Sequence, residues 1–222
     1  MRVEKTPQYP FAISLGTLKT DSENWVEEVG YRMGLDMKRS GIHLNLAPCA
    51  DVNTNPNNPV IGYRSFGNNP EKIAKLAFAS YSGMKKAGIG ACLKHFPGHG
   101  DTATDSHLGL PILHKTKADL KAEELLPFQY GIDRGVELIM VGHLAVPALT
   151  GGKDIPASIS RELITDLLKV EMGFQGLVIS DALNMKAVAN LYPAPGELEW
   201  QAFHAGNDIL CFSDHVTEGI EK

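Results

Sequence analysis

Along the chain, short apolar runs rich in β-branched residues alternate with longer stretches in which apolar residues recur every three or four positions. That alternation is the pattern of repeated βα units rather than of a sandwich or a helical bundle. It predicts strands at 44–48, 91–96, 138–144, 156–160, 177–181 and 208–212, and helices at 23–39, 70–88, 117–134, 160–172 and 196–205. Asn69 is a good N-cap with Pro70 at the first helical position, and Ser160 can cap the helix that follows it. The strands begin about 30 to 50 residues apart, which suits βα units with loops of unequal length.

Near-continuous apolar strands imply a parallel sheet covered by helices, either a β/α barrel or an open doubly wound sheet. The placement of polar residues favours the barrel. Asp51 follows the first strand, Lys94 and His95 end the second, His143 ends the third and Asp181 ends the fifth. Barrels gather their active groups at the C-terminal ends of several strands, whereas an open sheet concentrates them at one switch point. Neither GxGxxG nor GxxxxGK(S/T) occurs. We therefore expect one α/β domain over residues 1–222, a (β/α)8 TIM-type barrel.

Composition narrows the partners. A net charge of −5 with no Lys/Arg run argues against nucleic acid or an anionic membrane, and a neutral or weakly polar substrate fits better. No apolar run reaches the roughly 18 residues of a membrane span, and residues 1–11 lack the hydrophobic core of a signal peptide. Cys49, Cys92 and Cys211 lie far apart in apolar stretches, as core thiols do.

The chemistry concentrates in KHFPGHGDTATDSH, Lys94 to His107, with three histidines, two aspartates and a lysine around a Pro-Gly turn. Asp105 can accept a hydrogen bond from one nitrogen of His107 and leave the other free as a proton shuttle. Asp181, at the end of LVIS, is placed either as a nucleophile or as a carboxylate capping the next turn. Lys94 and His95 would be costly to bury unpaired and should face the mouth, where they can bind hydroxyls. Arg64, in a Gly-flanked loop, can donate to sugar hydroxyls or to Asp51.

These residues resemble the catalytic domain of glycoside hydrolase family 3, in its bacterial β-N-acetylglucosaminidase branch. The resemblance rests on LAPCADVNTNPNNPVIGYRSFG, GACLKHFPGHGDTATDSHLGLP, GFQGLVISDALNMKAV and AGNDILCF, in that order. It implies a retaining exo-β-N-acetylglucosaminidase acting on cell-wall muropeptides or related oligosaccharides, with no cofactor and no metal. Asp181 would be the nucleophile, and His107, oriented by Asp105, the acid/base. Lys94, His95, Arg64 and Arg2 match sugar-binding positions. Family barrels carry two further strands before this point, the second with an aspartate that holds the terminal sugar, so six strands stand where eight are needed. Ala182 stands where many relatives have a second aspartate.

Other readings stay open on the residues alone. Phosphate replacing water would make a phosphorylase, and another family 3 β-glycosidase is a closer variant. His95, His99, Asp101 and His107 could ligate a metal in a barrel hydrolase. A non-catalytic sugar-binding module is the third class. Oligomeric state and compartment, cytoplasm or cell envelope, are not encoded in these motifs.

Overall fold

The computed structural model describes residues 7–104, 106 and 109–222, so Arg2, Asp105 and His107 lie outside the described residues. After a short helix α1 (Ala12–Gly16), the long helices α2 (Ser22–Arg39) and α3 (Pro70–Lys86) pack against each other. Helix α2 buries Val26, Gly30, Gly34 and Met37, spaced to form one stripe. Gly30 on α2 and Gly83 on α3 matter because the helix backbones touch. A Cβ on Gly30 would lie 2.5 Å from the Ser80 carbonyl oxygen, and one on Gly83 would lie 2.0 Å from that of Glu27. Helix α3 begins as expected, with the Asn69 side chain accepting from Lys72 N–H at 2.8 Å ahead of Pro70.

The strands form a parallel arc in sequence order. β1 (Leu44–Asn45) pairs with β2 (Gly90–Ala91), and β3 (Leu93–Phe96), β4 (Leu138–Val141) and β5 (Leu177–Ser180) pair in turn. A bridge between Cys49 and Lys94 joins the first pair to the rest, and Ile209 bridges Ile179 on the far side. Leu93, Ile139, Val141 and Val178 are fully buried and join the main core. The helix at Leu126–Ile132 locks onto this arc through Phe128, whose ring stands edge-on to Phe96 at 5.4 Å. Parallel strands with outer helices make the α/β class clear, and the strands follow one another in the sequence order of a TIM-type barrel wall.

Three expectations need correction. Residues 156–160 are not a strand: Pro156 makes one antiparallel bridge to Ala145, and Ala157–Ile159 is a 3-10 turn. Proline has no N–H to donate to a ladder, and the buried Ser158 is used for a side-chain contact instead. The segment 208–212 contributes one bridge rather than a strand, because Gly206 and Phe212 flank it with left-handed backbone. The helix expected at 117–134 divides into α4 (Lys117–Ala122) and α5 (Leu126–Ile132), with Pro127 near the start of the second. A proline there cannot continue the preceding helix but starts a new one well.

The helix at Glu162–Glu171 has wide, π-type winding and keeps its expected start. Ser160 Oγ accepts from Leu163 N–H at 3.4 Å. Cys49 and Cys92 are buried and Cys211 partly so, all as free thiols. Among the described residues no helix is long and apolar enough to cross a membrane.

Candidate active site

Asp51, Lys94, His95, His143 and Asp181 all lie at or just beyond the C-terminal ends of the parallel strands. Asp51 is the centre of the floor. It is fully buried and accepts from the backbone N–H of His95 at 3.1 Å and of His99 at 2.8 Å, and from His95 Nδ1 at 2.8 Å. Burial alone would raise its carboxyl, but His95 and His99 outweigh that and hold it below the usual carboxylate range. With Nδ1–H given to Asp51, His95 Nε2 is left to accept from Arg64 Nη2 at 3.3 Å. Arg64 Nη1 also donates to the Val60 carbonyl at 3.2 Å. The contact of Arg64 with Asp51 is therefore indirect, through the imidazole.

Two asparagines fix the start of the Lys94–His107 loop. Asn58 donates through Nδ2 to the carbonyls of His99 at 2.8 Å and Gly100 at 3.2 Å, while its Oδ1 accepts from Val60 and Ile61 N–H. Asn55 Nδ2 donates to the Thr102 carbonyl at 3.2 Å. Gly100 allows this closeness, since a Cβ there would sit 1.9 Å from the Val52 oxygen. Beneath the loop, Lys115 pairs with Asp101 at 3.3 Å and with Glu123 and Glu124 at 2.5 Å each. Burial pushes the Glu124 carboxyl up, against the pull of Lys115.

Asp181 follows β5 directly. Its N–H donates to the Val141 carbonyl at 2.9 Å, and its Oδ1 accepts from Ala182 N–H at 2.9 Å. Burial would raise this carboxyl too, but His95, His143, the Ala182 N–H and Lys94 together hold it low, so it is ionised at neutral pH. Asp181, Lys94, His95, Arg64, His99 and Ser106 line one cavity of about 1060 Å³. That exceeds the roughly 300–1,000 Å³ of ordinary ligand pockets. The excess is apolar: Met33, Met37 and Met84 line its other end, between α2, α3 and β1. The polar end is the candidate site.

The whole chain, residues 1–222, matches the family described as "Glycosyl hydrolase family 3 N terminal domain". The chain belongs to glycoside hydrolase family 3. It is 36% identical to "Beta-hexosaminidase A" of Pseudoalteromonas piscicida over 217 residues, 93% of this chain and 36% of that protein. A family 3 β-N-acetylglucosaminidase from Paenibacillus sp. str. FPU-7 superposes with a TM-score of 0.86 at 37% identity, over 94% of this chain and 39% of that one. NagZ from Neisseria gonorrhoeae, in complex with N-trifluoroacetyl-D-glucosamine, superposes with a TM-score of 0.86 at 31% identity, over 99% of this chain and 63% of that one. The chain thus spans less than two thirds of each of these relatives.

In this family 3 chain the structure brings together Arg64, Lys94, His95 and Asp181, four residues singled out in the sequence. Arg2, Asp105 and His107 fall outside the described residues. Of the four residues in the metal reading, His95 contacts Asp51 and Arg64, His99 contacts Thr102 and Ser106, and Asp101 pairs with Lys115, while His107 lies outside the described residues. Burial, then His95, also keeps the His99 ring neutral. A second cluster, Cys49, Asp51 and His95, has metal-ligand spacing, but the Arg64 guanidinium faces both the thiol and the imidazole there. Burial and the nearby Asp51 push the Cys49 thiol up to about 11, so it stays protonated. Sequence reasoning missed the organising role of Asp51 and the asparagine clamp. The run NTNPNNP was their only signal, and a run of turn formers reads equally well as a plain loop.

Proposed function

We propose that this chain carries the catalytic site of a retaining exo-β-N-acetylglucosaminidase. The observation that carries the reading is Asp181, a half-buried carboxylate kept ionised at the polar end of a cavity that also presents Lys94, His95 and Arg64. An ionised carboxylate held rigidly at a strand end, with Oδ2 not engaged by a described residue, is a competent nucleophile. The names of the relatives supply the sugar, N-acetylglucosamine.

In the proposed reaction, Asp181 attacks the anomeric carbon while the bond to the leaving oxygen breaks, giving a covalent glycosyl-enzyme. His107, oriented by Asp105, delivers its proton to that oxygen. It then takes a proton from water, which attacks the same carbon and frees Asp181 with net retention. Ser106, between these two residues in sequence, lines the same cavity as Asp181, and its carbonyl accepts from Ala187 N–H at 3.2 Å. Lys94, His95 and Arg64 donate to hydroxyls of the terminal sugar, and Arg2 adds a further contact. Muropeptides or related cell-wall oligosaccharides are the proposed substrates.

In the full-length protein, Asp181→Ala should lose roughly a thousandfold or more in release of a chromogenic aglycone from N-acetylglucosaminide. Binding of N-acetylglucosamine should persist. Undiminished turnover in that variant would sink the mechanism, and formate should restore turnover with inverted product if Asp181 is the nucleophile.

A further inference from the structure

His143 is fully buried just beyond β4 and is not among the described residues that line the cavity. Its Nε2 lies 2.9 Å from the Ala182 carbonyl oxygen and its Nδ1 lies 2.7 Å from Ser158 Oγ. A carbonyl can only accept, so Nε2 carries a proton and donates to the Ala182 oxygen, while Nδ1 and the Ser158 hydroxyl share a second hydrogen bond. Ser158 is itself held, since its carbonyl accepts from Asn207 Nδ2 at 2.8 Å.

The residue that His143 grips is the neighbour of the nucleophile. Ala182 N–H donates to Asp181 Oδ1, and the Leu183 N–H donates to the Cys211 carbonyl at 2.9 Å. The peptide plane between 182 and 183 is therefore pinned at both edges, by His143 on its oxygen and by Cys211 on its nitrogen. On the other side of Asp181, the peptide N–H is pinned to Val141. Release the 182 carbonyl and the 182–183 plane can rotate about the Ala182 Cα, which loosens the adjoining 181–182 plane whose N–H aims the carboxylate.

We propose that His143 is a positioning residue that fixes the attack direction of Asp181 by holding the Ala182 carbonyl. The inference rests on the nucleophile role given to Asp181 above. Because the grip is on backbone, it also explains how the side chain at 182 can be a plain methyl group without loss of aim. A misplacement of about 1 Å at a reacting group costs on the order of a hundredfold in rate.

The test compares two substitutions in the full-length protein. His143→Gln keeps an N–H able to reach the Ala182 carbonyl, and His143→Leu does not. The leucine variant should lose on the order of a hundredfold in kcat, with KM within about threefold of the parent. It should also slow the labelling of Asp181 by a 5-fluoro glycosyl fluoride. The glutamine variant should recover most of both rates. Activity is compared per folded molecule, well below each unfolding midpoint. Should the leucine variant not fold, Ser158→Ala loosens the ring while keeping the donor, and a kcat drop of roughly three- to tenfold is expected.

Equal kcat in parent and leucine variants, or equal impairment in leucine and glutamine variants, would overturn the inference. So would an unaltered kcat in Ser158→Ala. Activity surviving in Asp181→Ala is a different failure, because it removes the nucleophile reading itself.

Discussion

Asp51 and Asp181 are both acidic residues at strand ends of the same arc and both held ionised, the first fully buried and the second half-buried, yet they are equipped for opposite tasks. Three donors converge on Asp51, two on Oδ1 and one on Oδ2, and all come from the 95–99 segment. Asp181 has one hydrogen-bond donor among the described residues, its neighbour's N–H on Oδ1, and its carboxyl is otherwise held low by His95, His143 and Lys94. A carboxylate saturated with short bonds is a fastener. One stabilised mainly by field keeps an oxygen for chemistry. The neighbours that lower a pKa are thus less informative than the lone pairs they leave unused.

The largest expected effect separates the two roles directly. Asp181→Asn should abolish turnover while changing unfolding free energy by no more than about 1 kcal/mol, since active-site groups are often stability-neutral. Asp51→Ala should instead cost about 3–5 kcal/mol in denaturant unfolding, because it leaves two buried N–H groups and an imidazole without their partner. If the two variants showed the same balance of lost activity and lost stability, the distinction would be wrong.

Acid titration sharpens the comparison next. Both carboxyls are depressed in the folded protein, so the unfolded state binds protons first as pH falls. Their stabilising contribution is complete above the unfolded value near 3.8 and drains away below it, through the lower folded values. Unfolding free energy measured between about pH 5 and pH 2 should fall steeply, and Asp51→Asn should flatten that slope more than Asp181→Asn. A parallel slope in all three proteins would contradict the assignment of Asp51 as the more strongly bound group.

A smaller effect is expected at the clamp. Asn58→Ala removes hydrogen bonds to His99 and Gly100 and should cost about 1–3 kcal/mol. Hydrogen exchange should quicken at Val60 and Ile61, whose N–H groups lose the Asn58 acceptor. The smallest is Asn69→Ala, which loses one N-cap, costs about 1 kcal/mol and should leave kcat unchanged.

What could be read from the sequence follows the range of the interactions involved. Helix α3 was legible because its cap, its proline and its apolar period are local, and the strands at 138–141 and 177–180 because buried parallel strands are continuous apolar runs. The turn at Ala157–Ile159 was not, since alternating Pro, Ala, Ser and Ile imitate a strand while Ser158 serves a histidine 15 residues away. The site followed the same rule. Lys94, His95 and Asp181 announced themselves at strand ends, but that Arg64 reaches Asp51 only through His95 is a fact of three-dimensional stacking, with no spacing to encode it.

The chain of Asp51, His95 and Arg64 has one more consequence. Among the described residues the cavity presents the charges of Arg64, Lys94, Lys186 and Asp181, with the Asp51 carboxylate bound to His95 behind them. An uncharged sugar carries no net charge for that field to act on, so encounter is not electrostatically steered, and kcat/KM should be nearly flat as ionic strength rises across a Debye length of about 30 to 8 Å.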